Sequence, residues 1–141
     1  MRRTGIINPS LSAAISALCH TERFLVADAG LPVPRGVEVI DLSVVHGLPP
    51  FLDVLRAVLT EVVIEGSVIA EEIVERNPSQ FEALRDLPVA TTGRAASLLG
   101  ETWETVPHER FKRLVGDAKF VVRTGEATPY SNIVLAAGVP F

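Results

Sequence analysis

The sequence contains little of what several classes of protein require. Its single cysteine, Cys19, cannot form a disulfide within the chain or a multi-cysteine metal site. Seventeen acidic residues against thirteen lysines and arginines give a net charge of −4, whereas proteins that bind nucleic acid usually carry a basic excess. Charged residues interrupt the longest apolar stretch, residues 52–73, so no uncharged run reaches membrane-spanning length. These absences argue against disulfide-stabilised, nucleic-acid-binding and membrane-spanning proteins.

The sequence also lacks the motifs of metal and cofactor sites. Its three histidines, His20, His46 and His108, occur singly, without the paired spacing of a zinc site. The glycine spacing of a dinucleotide loop and the Gly-Lys-Ser/Thr of a phosphate loop are both absent. We therefore expect neither a metal nor a cofactor. The beginning of the chain imitates a secretory signal, but Asn8-Pro9-Ser10 interrupts its apolar stretch, so we expect a cytoplasmic protein.

Short apolar segments alternate with amphipathic ones, and apolar residues make up 48% of the chain. At 141 residues, this composition predicts one domain spanning residues 1–141. Strands that alternate with helices predict an α/β fold of three layers, α/β/α, with a largely parallel mixed sheet. The predicted strands are residues 24–27, 37–42, 62–64, 102–106, 120–122 and 133–137. The predicted helices are residues 8–20, a stretch opening at 49–50, residues 67–76, a stretch opening at 77–78, and residues 107–114, and residues 88–100 are predicted to form a loop.

Four features could carry chemistry. Asp28 directly follows the first predicted strand, and the carboxyl ends of strands in such sheets commonly face a ligand. His20 lies at the predicted end of the first helix, and His108 lies at the predicted start of the last. The loop between the last two strands contains Tyr130 and Asn132, which can hydrogen-bond hydroxyl groups. Each feature also has a plainer interpretation: a turn for the aspartate and the loop, a helix-end or surface position for the histidines.

Longer motifs extend over nearly the whole chain. They include Val26-Ala27-Asp28-Ala29-Gly30-Leu31-Pro32 and Arg123-Thr124-Gly125-Glu126-Ala127-Thr128-Pro129-Tyr130-Ser131-Asn132. Shorter matches are residues 5–8, 18–21, 40–42, 47–51, 70–73, 77–78, 108–112 and 137–141. Taken together and in this order, these segments resemble the D-ribose pyranase (ribose mutarotase) family. Residues 88–101 match least, and His46 falls outside the family pattern.

The resemblance implies an isomerase that interconverts the β-pyranose and β-furanose forms of D-ribose without a cofactor and supplies the furanose to a kinase after uptake. It implies that His20 is the proton donor and that Asp28, His108 and the segment Tyr130-Ser131-Asn132 bind the sugar. Family members form ring-shaped homo-oligomers, typically decamers, whose sites are shared between neighbouring subunits. Ser131 stands where the family often has alanine, so this position is expected to act through its main chain.

The residue types suit this reaction, because a histidine of ordinary pKa, about 6.5, can give or accept a proton near neutral pH. We expect His20 to protonate the departing ring oxygen, Asp28 to orient the sugar or His20, and the other groups to hold hydroxyls. Two alternatives stay open. One is a mutarotase of another sugar such as fucose, and the other is a non-catalytic sugar-binding accessory of ribose uptake.

Overall fold

The structure is a computed structural model that describes residues 3–91, 94–98 and 103–141. In chain order its elements are α1 (Pro9–Ser16), β1 (Arg23–Ala27), β2 (Glu38–Asp41), α2 (Phe51–Leu59), β3 (Ile64–Ala70), α3 (Ile73–Arg76), α4 (Pro78–Arg85), β4 (Pro88–Thr91), β5 (Arg94–Ser97), β6 (Trp103–Val106), α5 (His108–Leu114), β7 (Phe120–Arg123) and β8 (Ile133–Ala137). A short 3-10 turn, Val115–Asp117, follows α5.

Six of the strands form one mixed sheet in the order β2-β7-β1-β8-β3-β6. The pairs β2–β7, β7–β1 and β3–β6 are parallel, and β8 runs antiparallel to both of its neighbours. Five strands therefore share one direction, which confirms the largely parallel mixed sheet. The carboxyl ends of β1 and β7 lie at the same edge of the sheet as the amino end of β8.

Apolar side chains cover both faces of this sheet and form two cores. The larger core joins one face to α1, α2, α3 and α4, and it contains Phe24 and Phe120, whose rings stack with centroids 5.2 Å apart. The smaller core joins the other face to α5 and the 3-10 turn through Phe111 and Val115. The three-layer arrangement is therefore confirmed. No helix in the described part of the chain has the length and apolar character needed to cross a bilayer.

Helix α1 begins as predicted and ends earlier. The Asn8 side chain caps it by accepting a hydrogen bond from the backbone N–H of Leu11 at 2.9 Å, with Pro9 in the first turn. The helix stops at Ser16, so the prediction that it continues to His20 is wrong. His20 instead lies in the turn that connects α1 to β1. This turn includes Thr21, whose φ of +68° is unusual for a residue with a side chain.

Residues 67–76 do not form the single helix that their spacing predicts. The segment Ile64–Ala70 is strand β3, and only Ile73–Arg76 is helical. Strand β3 lies between β8 and β6, where Ser67, Ile69 and Ala70 are buried. An interior strand covered on both faces is almost continuously apolar, so strict alternation is lost and the segment is easily mistaken for a helix.

The prediction of a loop over residues 88–100 is also wrong where the structure describes the chain. Strands β4 and β5 pair antiparallel as a separate two-stranded sheet, from Pro88 opposite Ser97 to Thr91 opposite Arg94. Residues 92, 93, 99 and 100 of that prediction lie outside the described residues, as does residue 102 of the strand predicted over 102–106.

Candidate active site

An open cleft lies at the edge of the sheet where β1 and β7 end and β8 begins. Its volume is about 450 Å³, within the range of small-molecule sites. The predicted residues Asp28, His108, Tyr130 and Asn132 all line it, together with His46 and Glu126. Segments far apart in sequence therefore meet in one concave surface.

Asp28 and Asn132 form the floor of the cleft. The Asn132 side-chain amide donates to Asp28 Oδ2 at 2.6 Å, and Asn132 Oδ1 accepts from the backbone N–H of Asp28 at 3.0 Å. The backbone N–H of Gly30 donates to Asp28 Oδ1 at 3.0 Å. The carboxylate keeps acceptor positions and the amide keeps one N–H, so this pair can bind two further hydroxyl groups.

The environment of Asp28 shifts its protonation equilibrium. Burial raises the pKa of its carboxyl group above the ordinary value, and it outweighs the hydrogen bonds from Asn132, Gly30 and Leu31 and the attraction of His108, which act in the opposite direction. A partly buried carboxylate with unused acceptor positions binds a hydroxyl group more strongly than an exposed one.

His108 and Tyr130 form one wall of the cleft. Their rings meet edge to face, with centroids 5.0 Å apart and planes at 84°. Glu72 fixes the backbone of His108 by accepting its N–H with both carboxylate oxygens at 3.0 Å. Within the described chain, Nδ1 of the His108 ring is buried and has no hydrogen-bond partner. Tyr130 adopts a left-handed backbone conformation, φ +61°, which turns the chain sharply ahead of Asn132.

Ser131 lies behind the cleft wall and does not line it. It is fully buried, and its hydroxyl contacts Thr128 Oγ1 at 2.9 Å and accepts from the Asn77 amide at 3.3 Å. The same amide donates to Thr128 Oγ1 at 3.1 Å and to the Pro129 carbonyl at 2.9 Å. Asn77 precedes α4 as the sequence predicts, but its side chain does not cap that helix. It holds the loop between β7 and β8 instead, a role that sequence reasoning missed.

Glu126 is a second residue that sequence reasoning missed. Its Oε1 accepts hydrogen bonds from the backbone N–H groups of Ala127 and Thr128, each at 3.0 Å, and its Oε2 accepts from the backbone N–H of Phe51 at 3.3 Å. Burial alone would raise the pKa of Glu126, but these bonds and that of the Thr128 hydroxyl outweigh it and lower the pKa. Glu126 therefore joins the loop to the first residue of α2. A glutamate among turn-forming residues was the only signal in the sequence.

His46, to which the sequence analysis assigns no role, also lines the cleft. It belongs to a tight turn in which the backbone N–H of Val44 donates to the Leu48 carbonyl at 3.0 Å. Gly125 lies directly against this turn, since its N–H donates to the Pro49 carbonyl at 2.9 Å and a Cβ there would lie 2.1 Å from the Leu48 carbonyl oxygen. Gly125 thus allows the approach that brings His46 to the cleft.

His20 does not line the cleft of its own chain. The next residue, Thr21, donates its backbone N–H to the Ala137 carbonyl at 2.8 Å, at the edge of the sheet opposite to Asp28. The five residues of β1 lie in between, a separation of roughly 17 Å at about 3.4 Å per residue. The His20 side chain is 54% exposed, and its Nε2 lies 2.7 Å from Glu65 Oε2. The structure therefore separates His20 from the other predicted residues by the full length of a strand.

The arrangement suits recognition of a small polyhydroxylated molecule. The cleft offers a carboxylate, a carboxamide, two imidazoles and the phenol side chain of Tyr130, all of which hydrogen-bond hydroxyl groups. Among the residues that the structure describes, no three His, Cys, Asp or Glu side chains are placed to hold a metal ion.

Comparison with known proteins defines the class. The model of the RbsD / FucU transport protein family matches residues 1–140, and the chain belongs to this family. More particularly, the chain is 46% identical over 141 residues to the D-ribose pyranase of Geobacillus kaustophilus, covering all of this chain and 96% of that protein. It is 45% identical to the D-ribose pyranase of Cutibacterium acnes, with each chain fully covered.

Solved structures give the same result for the fold. Bacillus subtilis RbsD, solved in complex with D-ribose, superposes with a TM-score of 0.88 at 41% identity, and both chains are fully covered. The fucose mutarotase of Streptococcus pneumoniae, solved with L-fucose, shares the fold at a TM-score of 0.65 and 19% identity, over 94% of each chain. The ribose-binding relative is thus the nearer of these two.

Proposed function

We propose that this protein is an isomerase that interconverts β-D-ribopyranose and β-D-ribofuranose, with the whole chain acting as one domain and without a cofactor. The observation that carries the proposal is identity of 40–46% over the full chain to proteins named D-ribose pyranase. The cleft supports it independently, because the side chains that line it are hydrogen-bonding partners for a sugar.

The sugar-binding groups are Asp28, His108, Tyr130 and Asn132. The remaining acceptor positions of the Asp28 carboxylate and the remaining N–H of the Asn132 amide bind adjacent hydroxyls. His108 supplies an imidazole with unused hydrogen-bonding capacity, and Tyr130 supplies its hydroxyl. Ser131 contributes through its main chain, since its hydroxyl points into the buried network around Asn77.

The proton donor of the reaction is His20, which reaches a cleft from a neighbouring subunit. Two features support this assignment: the side chain is exposed, and a full strand separates it from the cleft of its own chain. A donor on one edge of the sheet and a cleft on the other form a head-to-tail contact, which closes into a ring when the rotation permits. The proposed assembly is a homodecamer in the cytoplasm, as the resemblance to ribose pyranases implies.

The reaction exchanges one ring oxygen for another. The protonated imidazole of His20 gives its proton to the ring oxygen O5 as the C1–O5 bond breaks, and the anomeric hydroxyl gives up its proton to solvent as the aldehyde forms. Rotation about the C2–C3 and C3–C4 bonds brings O4 to C1, the C1–O4 bond forms, the O4 proton returns to His20, and O1 regains a proton. General acid–base assistance of this kind accelerates a reaction about 10²–10⁴-fold.

Saturation-transfer NMR of the purified protein with D-ribose tests the proposal. Catalytic amounts of protein should increase magnetisation transfer between the pyranose and furanose anomeric protons, and His20→Ala should remove most of the increase with an unchanged melting temperature. L-Fucose provides the comparison sugar and should show little acceleration. Binding of ribose without faster exchange would favour the non-catalytic accessory, and faster exchange of fucose than of ribose would favour another mutarotase.

A further inference from the structure

The surroundings of His20 are more elaborate than an exposed turn requires. Its Nε2 is 2.7 Å from a carboxylate oxygen of Glu65, a residue 45 positions further along the chain. Both side chains are partly open to solvent, with 54% of the His20 side chain and 32% of the Glu65 side chain exposed. Exposed pairs of this kind add little to folding stability, so stability does not account for the contact.

The backbone around Glu65 is irregular at this one point. The pairing of β3 with β8 shifts register between Ile64 and Gly66, which makes Glu65 the extra residue of a β-bulge. Bulges redirect side chains, and this one presents the carboxylate to the His20 turn. Gly138 of the neighbouring segment lies against the start of this strand, where its N–H donates to the Val63 carbonyl at 2.8 Å.

The turn that carries His20 is held in place from the other side by Glu22. Glu22 Oε2 accepts from the backbone N–H of Cys19 at 2.9 Å, and its Oε1 accepts from Lys119 Nζ at 2.8 Å. Thr21 adopts a positive φ between these two contacts. In the described part of the chain, Thr21 and Tyr130 are the non-glycine residues with this conformation. One follows the proposed proton donor and the other lies in the cleft, and backbone strain tends to collect at functional sites.

We propose that Glu65 is a positioning residue for His20. Its carboxylate accepts the Nε2–H of the imidazole, fixes the plane of the ring, and leaves Nδ1 as the atom that exchanges a proton with the sugar. Because the acceptor is a charged carboxylate, this hydrogen bond is stronger than one to a neutral amide, and a carboxylate orients the histidine of a catalytic triad in the same way. The inference rests on the proposed role of His20, and it adds a second residue on which the rate depends without contact to the substrate.

The experiment compares Glu65→Gln with wild type in the ribose exchange assay over a range of ribose concentrations. Glutamine keeps the length of the side chain and removes its charge. The expected result is a kcat lower by about 10- to 100-fold with KM within about twofold, the usual effect of losing a group that orients an imidazole. Glu82→Gln is the matched control, because Glu82 forms an exposed ion pair with Arg85 on α4, away from both His20 and the cleft. It should retain wild-type kinetics.

A double variant decides whether Glu65 acts through His20. In the His20→Ala background, adding Glu65→Gln should cause no further loss of rate. A further loss, or a wild-type kcat for Glu65→Gln alone, would overturn the inference and leave the proposed function intact. A wild-type protein that does not accelerate exchange would instead reject the proposed function.

If Glu65→Gln alters the oligomeric state measured by ultracentrifugation, Glu65→Asp replaces it. That variant keeps the charge but withdraws the carboxylate by one methylene, so its kcat should also fall, and an unchanged kcat would equally overturn the inference.

Discussion

Two variants that are each strongly impaired should recover activity when they assemble together. His20→Ala removes the proposed proton donor at one edge of the sheet, whereas Asp28→Asn disables the cleft at the other edge. Asparagine preserves the shape of the side chain but loses the charge, and it places an N–H₂ group next to the Asn132 amide. We expect His20→Ala to lose about 10²–10⁴-fold in rate and Asp28→Asn to lose tenfold or more, as when a hydrogen bond to a charged group is removed.

The size of the recovery follows from the separation of the two residues. Because β1 places roughly 17 Å between them, one chain cannot combine its own His20 with its own cleft. In the proposed assembly each site draws the histidine from one chain and the cleft from another. In a random equimolar mixture each contributor is intact in half of the cases, so about one quarter of the sites are complete. The mixture should therefore recover about 25% of wild-type activity.

The assay uses the two variants with different affinity tags, co-expressed and purified through both tags so that only mixed assemblies are measured. The exchange of ribose is followed by saturation-transfer NMR, and each variant purified alone is the control. Recovery should follow the proportion of the two chains and reach its maximum at equal amounts. Mixed assemblies with no more activity than the separate variants would refute a site shared between subunits.

Three further predictions concern the loop between β7 and β8. The pKa of Glu126 is lower in the folded state than its ordinary value of 4.5, so its carboxylate stabilises the fold above about pH 4.5. This stabilisation is lost as the pH falls through the folded-state pKa. Glu126→Gln should therefore lower the melting temperature at pH 7, and the difference should shrink below about pH 4.5. Gly125→Ala should reduce the free energy of unfolding in urea by about 1–3 kcal/mol, because its Cβ would overlap the Leu48 carbonyl. Asn77→Ala should cost about 1–3 kcal/mol and raise KM for ribose, since the loop loses three hydrogen bonds from one amide.

Matched substitutions serve as controls for two of these effects. Gly116→Ala adds a Cβ that meets no atom within 4 Å, so it should leave unfolding in urea nearly unchanged. Glu82→Gln removes a charge from an exposed helix and should show no comparable loss at pH 7. Equal effects of Gly125→Ala and Gly116→Ala, or a Glu126→Gln difference that does not shrink as the pH falls below 4.5, would contradict the contacts described.

Much of the fold follows from local patterns in the sequence. The apolar run ending at Asp28, the Asn8-Pro9 cap and the amphipathic stretch of α2 each have a local signature. The three elements form at these positions, although α1 ends at Ser16 and not at His20. Strand β3 fails this test because its position between two strands leaves each of its residues buried or half-buried, which removes the alternation of buried and exposed residues that identifies strands.

The candidate site was predicted in part. Asp28, His108, Tyr130 and Asn132 do meet in one cleft, as the resemblance to ribose pyranases implies. The roles of Asn77 and His46 could not be predicted, because their contacts join segments about 50 to 80 residues apart and depend on loop geometry. Glu65 likewise gains its orientation from a bulge, which leaves no mark in the sequence.

The reversed direction of β8 determines the path of the connection between β7 and β8 beside the cleft. Strand β1 lies between β7 and β8, so the link from the end of β7 to the start of β8 must cross the tip of β1. A parallel successor would need a long return over one face of the sheet, usually by way of a helix. Here residues 124–132 pass the end of β1, where the N–H of Thr124 donates to the Ala27 carbonyl and the N–H of Ala29 donates to the Glu126 carbonyl, each at 2.9 Å. The inverted strand thus keeps this connection short and beside the cleft, to whose lining it contributes Glu126, Tyr130 and Asn132.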